Sequence, residues 1–151
     1  VGVFVALRED SASYQPLLNC LIDSDRTWAQ RAPVLLLSVA RLRFAANGKA
    51  NPHAWHDVGA ASASMALQAT ALGLALHPMA GFFRERAVEQ LAIPSDCEPV
   101  AAFALGYPDD PSALPEKLAQ RAQAARTRKP LDQFVYRGRW AEPAPLTDGS
   151  R

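Results

Sequence analysis

The residues best able to do chemistry in this chain are few and scattered. Arg126-Thr127-Arg128-Lys129-Pro130 sets two guanidinium groups at alternate positions. On an extended segment alternate side chains point the same way, and a guanidinium grips phosphate oxygens through two parallel N–H donors. The pattern suits a phosphate-bearing ligand; a solvated basic tail has the same composition. His53, His56 and Asp57 lie together, with His53 and Asp57 on one face of any helix formed there. Helical zinc sites pair two histidines four apart with a third ligand elsewhere. Here the histidine pair is three apart and His77 is the only other histidine. The preferred reading is surface histidines with Asp57 favoured near a helix N-terminus, and no metal is expected.

Other chemistries find little support. There is no Gly-x-Ser-x-Gly elbow, no Gly-x-Gly-x-x-Gly and no Walker loop. Ser62 and Ser64 sit in an alanine-rich run, where small side chains mean close packing. Cys20 and Cys97 fit no metal or redox spacing. They read as small, mostly buried thiols in a reducing compartment, so a cytoplasmic protein is expected.

The elements that must position these groups follow from periodicity and punctuation. Residues 1–7 read as a strand already under way, which suggests that a preceding segment is missing. Ser11 or Ser13 can cap a helix with Tyr14, Leu17, Leu18 and Leu21 at helical spacing. Asp23 or Ser24 can cap a short helix that holds Trp28 and closes at Pro33. Residues 34–39 form a continuous apolar run, a central strand covered on both faces. A loop with Asn47-Gly48 at its turn leads to Asn51, which can cap a long helix ending at Gly73. Residues 76–82 are an extended segment and turn; a charged helix, a strand at 100–105 and a polar helix at about 115–124 follow. The expected fold is α+β, a three-layer α/β/α sandwich with a mixed, mainly antiparallel sheet. One domain over residues 1–140 and a mobile tail over 141–151 are expected.

Charge and hydropathy narrow the class. The formal net charge of +1 over 151 residues gives no general drive toward nucleic acid or acidic membranes. Between Val58 and Phe83 there is no Asp, Glu, Lys or Arg. That length could span a bilayer, but the run is rich in Ala, Ser, Gly and Thr, contains His77 and Pro78, and has no aromatic belt. A helix buried on most of its surface in a protein without membrane spans fits better.

Four stretches together resemble the nitroreductase family. They are Trp28 to Leu36 with Ala-Pro before an apolar strand; His56 to Ala61 running on to Leu67 to Leu74; His77-Pro78-Met79-Ala80-Gly81-Phe82 followed by Ile93-Pro94 and Val100 to Pro108; and Arg126 to Leu131 with Phe134-Val135. The resemblance implies FMN as cofactor and a homodimer with flavin sites at the subunit interface. It implies reduction by NADH or NADPH and an electron-poor acceptor such as a nitroaromatic or quinone. The flavin then carries the chemistry, and no catalytic side chain is expected. By the same resemblance, Pro78, Met79, Ala80 and Gly81 line the flavin ring, with a glycine where backbone approaches the ring. Arg126 and Arg128 meet the flavin phosphate, and Phe44 is a substrate-side aromatic or a core residue. Two departures stand out. Many members carry Glu where this chain has Ala80, and an Arg-rich N-terminal segment that contacts flavin in the family has no counterpart ahead of Val1. The alternative is therefore a truncated or degenerate relative without flavin, a dimeric module that binds a ligand or a protein.

Overall fold

The computed structural model describes residues 1–114 and 116–145. They fall into two compact units, Val1–Asp109 and the stretch from Asp110 onward. Residues 146–151 of the expected tail, and Pro115 at the start of the last expected helix, lie outside the described residues. The first unit runs β1 (Gly2–Leu7), α1 (Ser11–Cys20), α2 (Asp23–Ala29), β2 (Val34–Arg41), α3 (Ala54–Ala71), β3 (Ala75–Met79), α4 (Arg84–Gln90) and β4 (Cys97–Gly106). The second holds α5 (Glu116–Gln123), short 3-10 turns and an isolated bridge between Tyr136 and Pro143.

The sheet order is β1-β2-β4-β3, and all three neighbouring pairs are antiparallel. The expected parallel component is absent among the described strands. Leu7 pairs with Val34, so α1 and α2 form an excursion that returns the chain to the end where β1 stopped. A return to the same end forces an antiparallel neighbour.

Alternation on β2 builds the layers. Leu35, Leu37 and Val39 join Ala102 and Ala104 of β4 against Tyr14, Leu17 and Leu18 of α1. Ala40 faces the other way and packs with Ala54 and Val58 of α3. The result is helices on both faces of one sheet, as the composition and element order led one to expect. A bulge lies between Ser38 and Val39: Ser38 pairs with Ala101 and Val39 with Pro99, leaving Val100 as the extra residue. Val100 turns toward the α3 side, and the missing N–H of Pro99 is tolerated at the irregularity. Ser38, the one buried polar residue among those described, stitches the bulge. Its Oγ donates to the Ala101 carbonyl and accepts from the Ala101 N–H, both at 3.2 Å.

Several local expectations need correction. Asp10, not Ser11 or Ser13, caps α1, because its carboxylate accepts the Ala12 N–H at 3.2 Å. Ile22 precedes α2 with no side-chain cap, and Asp23 is its first helical residue. Asn51 accepts the His53 N–H and closes a turn, so α3 starts only at Ala54. Residues 75–79, expected merely as extended, are a full edge strand. β4 starts three residues earlier than the 100–105 reading, since the bulge accommodates Pro99. Gly73 does end the long helix. Its φ of +72° suits glycine, and the Leu74 N–H reaches back to the Ala69 carbonyl at 2.8 Å.

The most consequential difference is α3. Only Ala54, Val58 and Ala69 of its residues are buried. A helix lying on a sheet covers just the stripe that faces it; Ala61, Ser62, Met65 and Ala66 are part-buried, and the rest of α3 is exposed among the described residues. Among the described residues no helix is long and apolar enough to cross a membrane.

Candidate functional site

The segment leaving the edge strand β3 is the best-defined candidate. It is laced to the junction of α1 and α2 by one backbone bridge made of two hydrogen bonds. Leu21 and Phe82 form an antiparallel bridge, the Ile22 N–H donates to the Gly81 carbonyl at 2.9 Å, and the Phe83 N–H donates to the Cys20 carbonyl at 2.8 Å. Met79 anchors the segment in the core, 3% exposed, with Phe82 buried three residues on. Pro78 just before the first anchor and Ala80 between the two are exposed. Among the described residues no hydrogen bond takes up the amide N–H of Ala80 or Gly81. The segment therefore offers two free donors on a backbone held at both ends.

Side chains of α2 complete the clamp. A Cβ built on Gly81 would stand 2.2 Å from Asp25 Oδ2 and 2.6 Å from Ile22 Cδ1. The Trp28 ring meets the His77 ring edge-on, centroids 4.8 Å apart. Residues 22, 25 and 28 thus set one face of the helix and its cap along the segment from His77 to Gly81. Sequence reasoning placed Trp28 on a short helix and in the resemblance but gave it no partner, and it missed Ile22 and Asp25. The three-residue spacing was the available signal, but it does not say which strand the helix covers. The glycine at 81 also has a cause inside the chain. Its space is taken by α2, and its φ lies outside the left-handed region.

Beyond the segment, Arg84 stacks on Phe82 and Arg86 on Phe83, with Arg84 also donating to the Pro99 carbonyl and Arg86 to that of Asn19. Both cations are tied to structure. Phe44 is 39% exposed on the loop after β2, where its carbonyl accepts the Gly48 N–H at 2.8 Å. β2 and β3 both run opposite to β4, so the Phe44 loop and the Pro78–Gly81 segment share one end of the sheet. No hydrogen bond among the described residues joins them.

Arg126 and Arg128 belong to the second unit, on an exposed stretch without regular structure. Arg128 donates to the Thr127 carbonyl, and neither arginine is ion-paired among the described residues. His53, His56 and Asp57 are exposed, with 3.6 Å between His56 Nδ1 and an Asp57 oxygen. Among the described residues no cluster of His, Cys, Asp or Glu is placed to hold a metal. Neither thiol is activated. Burial pushes the Cys20 thiol up, and it donates to the Pro16 carbonyl. Cys97 is pushed up by desolvation and then by the neighbouring Asp96 carboxylate.

Residues 18–107 match the model of the nitroreductase family, a span that includes the whole β3 segment and its α2 clamp. The chain belongs to the nitroreductase family. A crystal structure described as an oxidoreductase containing FMN is 33% identical, with a TM-score of 0.85 over 93% of this chain and 72% of that one. A nitroreductase family protein from Clostridium difficile 630 shares the fold at a TM-score of 0.62 and 22% identity, over 91% of this chain and 73% of its own. An uncharacterized 15.4 kDa protein in the ask 5' region of Mycolicibacterium smegmatis is 39% identical over 87 residues. The match spans 58% of that curated relative's length and 58% of this chain.

Proposed function

We propose that this chain is a flavin-dependent oxidoreductase that holds FMN against the Pro78–Gly81 segment. The observation that carries the reading is the pair of free amide donors at Ala80 and Gly81, on an exposed backbone pinned by Met79, Phe82 and α2. A flavin ring has nitrogen and carbonyl acceptors along one edge, and a rigid strip with free N–H groups and small side chains fits that chemistry. Ala80 adds no bulk there. The 33% identity to an oxidoreductase containing FMN supports the same cofactor.

In this reading FMN, once bound, supplies hydride transfer between a reduced nicotinamide and an electron-poor acceptor such as a nitroaromatic or a quinone. The protein's task is placement. The β3 exit presents the two donors, α2 keeps that backbone from moving, and Met79 anchors it to the core. Arg126 and Arg128 are proposed to hold the FMN phosphate. They are cations at alternate positions with no carboxylate partner among the described residues, suited to a group of nearly two negative charges. Phe44 is proposed as an aromatic on the acceptor side. The uncovered, charge-poor surface of α3 supports a homodimer formed through that helix.

The test is a titration of the purified chain with FMN and with riboflavin, followed by flavin absorbance and fluorescence. FMN should bind. Arg126→Ala and Arg128→Ala should each weaken FMN about tenfold to a hundredfold while leaving riboflavin nearly unchanged. A folded protein that takes up neither flavin would overturn the reading in favour of a flavin-free binding module. Equal losses for both flavins would show that the arginines support the fold instead of the phosphate.

A further inference from the structure

The Asp25 carboxylate is unusual among the acidic groups of the first unit. It is part-buried, and it has no ion pair or hydrogen bond to its carboxylate among the described residues. Its Oδ2 lies against the Gly81 backbone, where a Cβ would stand 2.2 Å away. Asp23, on the same helix, is the contrast: its carboxylate is 91% exposed and paired with Arg26 at 2.7 Å. The two cations that follow the segment in sequence, Arg84 and Arg86, stack on phenylalanine rings and donate to carbonyls. Arg84 has a carboxylate partner of its own in Glu98, 3.9 Å away. An uncompensated negative charge is therefore fixed beside the two free donors of the candidate site.

Resting on the FMN reading above, we propose that Asp25 is a positioning and charge-setting residue that lowers the reduction potential of the bound flavin. A hydride brings two electrons and one proton, so accepting one leaves the site a full negative charge richer. A reduced nicotinamide supplies that hydride and leaves as its oxidised form. A carboxylate held across one strip of backbone opposes the added charge. It also makes the reduced site readier to pass the hydride to an acceptor. Ile22 and Trp28, both part-buried, keep some water from that charge and so reduce its screening.

The experiment measures the midpoint potential of FMN bound to wild type, Asp25→Asn, Asp25→Ala and Asp23→Asn, by reduction against reference dyes. Losing Asp25's charge should favour reduced over oxidised FMN about tenfold, which raises the midpoint by about 30 mV for a two-electron couple. Asp25→Ala repeats the test should the amide of Asp25→Asn disturb folding, and Asp23→Asn should leave the midpoint in place. FMN bound with an unmoved midpoint in both Asp25 variants would overturn the assignment and leave the cofactor reading intact. So would an equal rise in Asp23→Asn, which would mark a bulk charge effect. A folded wild type that takes up no FMN would overturn both.

Discussion

Replacing Gly81 with alanine separates two reasons for a glycine at that position. If the residue is small only to admit a ligand, the ligand-free protein should accept a methyl group. Gly81 does not sit at positive φ, so alanine would then stabilise the fold by about 0.4–1 kcal/mol through the unfolded chain. The structure says otherwise. The new Cβ would meet Asp25 Oδ2 at 2.2 Å and Ile22 Cδ1 and Cγ1 at 2.6 and 2.8 Å. Asp25 is short and can rotate aside. Ile22 is β-branched with a stiff χ1, and its own N–H is bonded to the Gly81 carbonyl, so it cannot move alone. Overpacking of this kind costs about 1–3 kcal/mol. Breaking the Ile22–Gly81 hydrogen bond would add about 1 kcal/mol.

The net expectation is a loss of about 1–3 kcal/mol once the unfolded-state gain is subtracted, or a Tm lower by about 3–9 °C. Urea unfolding without flavin should show it. Ile22→Ala and Asp25→Ala should each be less harmful in the Gly81→Ala background than alone, with a coupling of about 1 kcal/mol or more for Ile22. An unchanged or raised Tm in Gly81→Ala would refute the argument that α2 dictates the glycine. Absence of coupling to Ile22 would refute it as well.

Ser38→Ala leaves the Ala101 N–H without its partner in a buried bulge and should cost about 1–3 kcal/mol in urea unfolding; Ser38→Thr should recover part of that. Tyr14 donates to the Ala29 and Ala32 carbonyls and is pushed up by burial, with the Arg8 charge opposing. Its folded value lies above the unfolded one, so its stabilisation is intact below the ordinary phenol value of about 10 and falls as pH rises beyond it. Tyr14→Phe should lower stability by about 1 kcal/mol at neutral pH and flatten the alkaline loss in urea midpoints. Ala63→Arg places a charge on the exposed, charge-poor surface of α3. Light scattering should show it shifting the protein from dimer toward monomer, and a wild type already monomeric at micromolar concentration would end that idea.

Much of this architecture was legible in the chain itself. The run from Val34 to Val39 read as a strand covered on both faces and Gly73 as the end of the long helix, and the structure has both. Tyr14, Leu17 and Leu18 recur at helical spacing and duly face the core. These are local matters of period and backbone sterics, which residue types specify directly. Caps were less legible, because Asp10, Ser11 and Ser13 all have the right chemistry and only backbone geometry chooses among them. Strand direction, the bulge that admits Pro99 and the edge position of β3 depend on partners distant in sequence, and no window of sequence contains them. The candidate site is the sharpest case. Pro78–Gly81 was named from a resemblance, and its backbone was expected to matter. That Asp25, Ile22 and Trp28 hold it follows only when α2 folds down beside the edge strand, across 49 to 59 residues of chain. A glycine records that something comes close. Whether a cofactor or the protein's own helix does so is decided by packing in three dimensions.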